Sequence, residues 1–285
     1  MSTIERVPIS YFVYSSLSFF GRQCGGELPG TWFVRAIGDA GRDLAAIRQT
    51  LYRMEAEEEL VSRKVGRVKY YSASTYAHGE IDAGLERILG TPDEAWDKRW
   101  TFVHLGFGHM PLRRVARERV VALMSVEGFA HLGGDVYVHP RDVGERIAKA
   151  LSASARPHVA IVTGPLVNVA VEPSLVALWK IDTLGERYRA ARGRLQALEA
   201  DVRSGVSDRD AFVLRFAVVF EFLQVAWDDP RLPREVLPPD WPGDGARALA
   251  ARLYRKLIPG ATRYAQALLR DVSPPSTRSR RRVTR

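Results

Sequence analysis

At 285 residues, with 46% hydrophobic and 26% charged side chains, the chain has an ordinary globular composition and enough length for two or three cores. Its net charge of +9 suits a polyanionic partner, although five arginines crowd the last eight residues (Arg278, Arg280, Arg281, Arg282, Arg285) and leave 9 − 5 = +4 for the rest. A single cysteine, Cys24, excludes an intrachain disulfide framework, and no apolar run reaches membrane-span length and no signal peptide opens the chain, so a cytoplasmic protein without a membrane partner is expected.

Residues 8–20 predict an aromatic scaffold helix (Tyr11, Phe12, Tyr14, Leu17, Phe19, Phe20) that ends at Gly21, its rings read as core. A Gly/Pro loop, 25–30, leads to Thr31 as N-cap of a short helix, 32–37, and the turn 38–41 leads to a longer helix, 42–58. In that helix Leu44, Ile47, Leu51 and Met54 recur at spacings of three and four and define a core stripe. The opposite arc carries Arg42, Ala45, Ala46, Gln49 and Arg53. Arg pairs with guanine and Gln with adenine edges, while Ala admits a thymine methyl. Arg48, Thr50 and Tyr52 fall on the flanks, where phosphate contacts or packing are expected. Residues 60–71 read as two strands turning near Gly66, with Arg63, Lys64, Arg67, Lys69 and Tyr70 and no acid, a hairpin suited to a phosphate backbone. Helix, short helix, longer helix and basic hairpin make an N-terminal winged helix-turn-helix over 1–90, for double-stranded DNA.

A connecting helix, 76–89, breaks at Gly90-Thr91-Pro92. Strand 100–107, helix 112–126 (Val115, Leu123 and Met124 among its apolar residues), strands 129–132 and 135–139 across Gly133-Gly134, helix 141–152 and strand 158–163 follow. This βαββαβ order predicts a central ferredoxin-like domain, 91–172, as a dimerisation or spacer module. Some domains of that shape are metal-dependent nucleases, so a nuclease or hydrolase is the alternative. Yet no Asp or Glu lies between Lys98 and Arg117, where the metal carboxylates would stand. His104, His109, His131 and His139 match no zinc spacing, so no metal and no cofactor is expected. The arginine row Arg113, Arg114, Arg117 and Arg119 reads as a solvated helix face.

From 173 to 272 the chain turns mostly helical. A polar amphipathic helix, 185–202, carries Leu195, Leu198 and Val202 on one face, and Ser207 with Asp210 caps a helix, 211–227, that is apolar on nearly every side. A Pro-rich crossing leads to a last helix, 245–271, interrupted at Pro259-Gly260, and then a Pro/Ser/Arg tail, 273–285, expected to be disordered. Trp179, Tyr188, Arg215, Trp227 and Trp241 are the ligand-pocket candidates of this domain, chosen as aromatic and cationic residues. The chain thus reads as α+β. No phosphate-binding glycine loop, nucleophile elbow or His-Glu-x-x-His motif occurs, and no catalytic residue is assigned.

Five stretches together carry a resemblance: 47–54 (Ile-Arg-Gln-Thr-Leu-Tyr-Arg-Met), 63–71 (Arg-Lys-Val-Gly-Arg-Val-Lys-Tyr-Tyr), 96–100 (Trp-Asp-Lys-Arg-Trp), 229–233 (Asp-Pro-Arg-Leu-Pro) and 240–243 (Asp-Trp-Pro-Gly). In that order, over about 8–271, the chain resembles the PaaX family of bacterial GntR-like winged-helix repressors, named for control of phenylacetate degradation. The resemblance implies a homodimeric repressor of an aromatic-compound catabolic operon. It would bind a palindromic operator and be released by an aromatic acid or its coenzyme A thioester, the C-terminal domain responding to that effector. Leu223 and Gln224 stand where relatives tend to carry arginine, which leaves the ligand open. A winged helix that binds protein instead of DNA is a further alternative.

Overall fold

The computed structural model describes residues 3–74, 84–90, 95–106 and 112–272. Its main helices are α1 (Ile9–Phe19), α2 (Gly30–Asp39), α3 (Leu44–Ala56), α4 (Arg114–Val126), α5 (Gly144–Ala150), α6 (Ile181–Arg203), α7 (Asp208–Ala226) and α8 (Pro242–Val272). The strands are β1 (Glu27–Pro29), β2 (Leu60–Val65), β3 (Val68–Ala73), β4 (Arg99–Leu105), β5 (Ala130–Gly133), β6 (Val136–His139) and β7 (Val159–Pro165). They form two small antiparallel sheets in a mixed α+β chain. Most of the expected 76–89 helix, His109 and the 273–285 tail lie outside the described residues.

Packing groups the chain into two compact units, one of Met1–Gly90, Ala191–Gln224 and Ala246–Arg285, the other of Thr91–Ala190 and Val225–Gly245. In the first, α7 is buried on every side from Ala211 to Leu223, as its largely apolar sequence predicts, with Arg215 and Glu221 buried among the apolar residues. Its rings meet those of the N-terminal helices: Phe216 lies 4.8 Å from Phe12, and Phe212 lies 5.5 Å from Phe20 and 5.9 Å from Trp32. The Trp32 indole donates to the Ala265 carbonyl of α8 at 3.1 Å, so this large ring brings its polar edge a partner. Ser207 Oγ accepts from the Asp210 amide at 3.1 Å and caps α7 as expected.

Three local expectations change here. The loop before α2 contains β1, which pairs with β3 (Leu28 with Tyr71) and completes a sheet of order β1-β3-β2; three residues beside Gly and Pro are too few for an alternation to show. As a result α2 starts at Gly30, behind Pro29, and Thr31 does not cap it. The third change is that α8 runs unbroken through Pro259. A Cβ on Gly260 would sit 2.9 Å from that of Ala211, so the Pro-Gly pair holds a helix against α7 at close approach instead of ending one.

In the second unit the sheet order is β5-β6-β4-β7, with every neighbour antiparallel. One face (Val103, Leu105) packs on Val120 and Met124 of α4 and Ile147 of α5; on the other, Trp100 and Val138 pack with Trp96, Leu175 and Val176. Val115 of α4 is 60% exposed, because the buried stripe runs through Val120 and Met124. The α4 C-terminus closes through Gly128 at φ +81°, with the Phe129 amide donating to the Met124 carbonyl and that of Gly128 to Ser125.

Candidate nucleic-acid interface

The Asp43 side chain accepts from the Ala46 amide at 2.8 Å and starts α3, which therefore runs from 44 to 56 and not from 42 to 58. Ile47, Leu51 and Met54 are buried on one face, but Leu44 is 46% exposed. As the first residue of the helix it sits beside Gly38, where an added Cβ would lie 2.7 Å from its Cδ2, at the rim of the packed face. Directly away from the core, Ala45, Gln49, Tyr52, Arg53 and Ala56 share an exposed arc with Arg48 at its edge. Tyr52, expected on a flank, is 73% exposed and belongs to this outward face. Arg53 pairs with Glu57 one turn on at 2.5 Å, while Ala46 and Thr50 are half-buried, the Thr50 hydroxyl donating to the Ala46 carbonyl.

Arg42 behaves differently. Expected on the outward arc, it precedes the helix, and one terminal guanidinium nitrogen donates to the carbonyls of Ile4 (2.6 Å), Glu5 (2.8 Å) and Val7 (2.5 Å).

β2 and β3 turn through Gly66 and Arg67; φ is +61° at Gly66, as in the two-residue hairpins whose first central position favours glycine. Acids invisible to a reading of the hairpin alone hold two of its cations. Arg63 bonds Glu27 of β1, which raises its pKa. Lys69 donates to Glu55 of α3 at 2.6 Å; that bond raises the Lys69 pKa and, with a second bond from Ser62, lowers that of Glu55. Tyr70 lies half-buried with the Arg63 guanidinium 5.7 Å above its ring. Toward the tip, Lys64 and Arg67 are exposed and form no ion pair with the described residues. A cleft of about 650 Å³ opens between these elements, lined by Thr31 and Arg35 of α2, Leu44 and Arg48 of α3, and Arg67 and Lys69 of the hairpin region. Thr31 and Arg35 were not legible as part of this surface, because their alignment with it depends on where α2 begins.

The five pocket candidates do not form one site within either unit. Arg215 is in the first, 5% exposed, its guanidinium 4.1 Å from the Phe19 ring and 4.4 Å from that of Tyr254, whose hydroxyl it bonds at 2.6 Å; burial lowers its pKa. In the second, Tyr188 donates to Asp229 at 2.6 Å and meets Trp241 edge-on at 5.7 Å, and Trp179 donates to the Gly128 carbonyl at 2.8 Å. Trp227 is 39% exposed. Among the described residues no group of three or more His, Cys, Asp or Glu is placed to hold a metal ion, and no helix is long and apolar enough to cross a membrane.

Residues 179–267 match the family described as PaaX-like protein C-terminal domain. Over 249 residues, 84% of this chain and 77% of the relative, the sequence is 22% identical to the transcriptional repressor PaaX of Escherichia coli (strain K12). By both comparisons the chain is similar to PaaX proteins. That relative is a transcriptional repressor by name. An uncharacterized protein from Mycobacterium tuberculosis shares this chain's fold at a TM-score of 0.54, with 21% identity, over 84% of this chain and 90% of that one. The matched segment takes in α6, α7 and most of α8, and so includes the helices that complete the unit carrying α3.

Proposed function

We propose that this chain is a ligand-responsive transcriptional repressor of an aromatic-compound catabolic operon, acting as a cytoplasmic homodimer and without catalytic activity. The observation that carries this reading is the pairing of the exposed Ala45-Gln49-Tyr52-Arg53 arc with a hairpin whose tip cations, Lys64 and Arg67, have no protein partner among the described residues. Helix, turn, helix and a three-stranded sheet ending in a basic hairpin is the winged helix-turn-helix arrangement, which puts the second helix into a major groove and the hairpin along phosphates. Gln49 and Arg53 would read base edges, Ala45 and Ala46 would allow close approach, and Arg48, Thr50, Tyr52, Arg63, Lys64, Arg67, Lys69 and Tyr70 would line the backbone. The strand order of the second unit is that of a ferredoxin-like sandwich, which supports a dimerisation or spacer role for 91–172. In the C-terminal segment, Trp179, Tyr188, Trp227 and Trp241 are aromatic candidates for an effector contact.

Two winged helices in a dimer would bind a palindromic operator with half-sites one helical turn or a multiple apart. An aromatic acid or its coenzyme A thioester would release it, and a coupling of about 1–3 kcal/mol suffices to change occupancy several-fold or more. The test is fluorescence anisotropy of the full chain on the DNA upstream of its own gene and on scrambled DNA, at two salt concentrations, with a panel of such acids and thioesters. Tight binding to the upstream DNA alone, released by one compound, is the expected result. Equal, weak binding to both DNAs that no compound changes would overturn the reading.

A further inference from the structure

Two helices from the far end of the chain, α7 and α8, reach the turn between α2 and α3 through hydrogen bonds, and α6 is tied to the segment before α1 through a shared carboxylate. From α7, the Arg209 guanidinium donates to the main-chain carbonyl of Asp39, its Nε at 3.0 Å. From α8, the Tyr264 hydroxyl donates to the Asp39 carboxylate. Across the turn, Arg42 grips the carbonyls of Ile4, Glu5 and Val7, and that segment is tied down in turn: Arg6 pairs with Glu221 of α7, a fully buried carboxylate that also pairs with Arg194 of α6. Asp39 and Arg42 thus bracket the turn at 40–41, two residues ahead of α3 at its Arg42 side, and each is held by groups far away in sequence.

We propose that this arrangement is a clasp through which α6, α7 and α8 fix the attitude of α3, making Asp39, Arg42, Arg209 and Tyr264 positioning residues for base reading. The proposal rests on α3 being the DNA-reading helix. It reassigns Arg42: a guanidinium whose terminal nitrogen is already engaged by three carbonyls orients the helix and does not read a base. Arg209 is exposed, and Tyr264 meets the aromatic core through its ring, 5.1 Å from Phe212, and not through its hydroxyl, so removing the two polar groups loosens the turn and leaves the unit's packing in place. A short turn held by a few hydrogen bonds at the surface opens at lower free energy than the core helices do. Any change that shifts α7 or α8 by a fraction of a bond length is then passed to the turn.

The experiment uses the full chain with Tyr264→Phe, and with Tyr264→Phe combined with Arg209→Gln. Amide hydrogen exchange without DNA reads the turn, and anisotropy on upstream and scrambled DNA reads α3. Exchange at residues 40–44 should rise about tenfold in the double variant while α1 and α7 stay protected. Affinity for the upstream DNA should fall about five- to tenfold, with scrambled-DNA affinity and the salt slope unchanged. Unchanged exchange at 40–44 overturns the clasp; faster exchange with equal losses on both DNAs overturns its role in positioning α3. Should the double variant unfold, Tyr264→Phe keeps the ring and its contact with Phe212, so it carries both readouts alone. A wild-type chain that does not distinguish the two DNAs defeats the repressor reading, and the exchange data still decide the clasp.

Discussion

Gln49 lies in the middle of the exposed arc of α3, with Ala45 before it and Tyr52 and Arg53 after it. An amide there can bond both adenine edge atoms in a major groove. Replacing it with alanine is therefore expected to cost about 1–3 kcal/mol at particular base pairs and almost nothing on scrambled DNA, which anisotropy with single-base operator variants would check. A second residue reports on acid stability. His139 in β6 is buried beside Phe129, its Nδ1 accepting from the Arg141 amide at 3.2 Å, and burial lowers its pKa from 6.5 to about 4. The fold favours the neutral ring, so this contribution is intact above pH 6.5 and is lost as pH falls toward 4, where the unfolded chain already holds the proton. The loss amounts to about 1–3 kcal/mol. His139→Asn keeps an acceptor for the Arg141 amide and should flatten that pH dependence, as urea midpoints between pH 4 and 7 would show; an unchanged slope would reject the assignment.

At the scale of elements, α3 is closed by a glutamate in a glycine's place. The Glu59 amide donates to the Met54 carbonyl and that of Glu58 to Glu55, and Glu58 holds φ at +57°. The same closure at the end of α4 uses Gly128. A side chain in the left-handed region costs about 1–2 kcal/mol, so Glu58→Gly should raise stability by up to about 1 kcal/mol after the entropy lost with glycine, read as a higher melting temperature. The hairpin makes a separate prediction. Arg63 and Lys69 are paired with Glu27 and Glu55, whereas Lys64 and Arg67 form no ion pair with the described residues. Lys64→Ala with Arg67→Ala should weaken all sequences alike and lower the salt slope by about one per residue, whereas a sequence-selective loss would place these residues on bases. Much of this was legible beforehand: the Ile47-Leu51-Met54 stripe, the hairpin around Gly66 and the all-round burial of α7 follow from periodicity and turn chemistry. β1 was not, since three residues cannot show a pattern, and neither was the continuity of α8, because Pro259 reads as a breaker until Gly260 is seen against Ala211. Leu44 misled for the same reason: a wheel counts position on a helix but not where the helix begins.

In the molecule as a whole, the unit that bears α3 is assembled from three separated stretches of chain. Its N-terminal rings find their partners more than 170 residues away, at Phe212, Phe216 and Tyr254. Residues 1–90 expressed alone would leave Phe12, Phe20 and Trp32 uncovered, each an aromatic burying about 150–250 Å² in a complete core. Such a fragment should bind a hydrophobic dye and lack a cooperative melt, while the full chain should show neither defect; a sharply melting, dye-silent fragment would mean the helices from the far end are dispensable. Pairings at this distance cannot be foreseen from local patterns, because every local signal near residue 20 is satisfied by any apolar neighbour. They also bear on how the protein is made. At about 5–20 residues per second, a ribosome needs roughly 10–35 s after residue 90 to deliver the Tyr264 that closes the turn, and through that interval the aromatic face of α1 and α2 is bare. Newborn chains of this protein should therefore depend on chaperone occupancy of their first ninety residues more than on anything that follows.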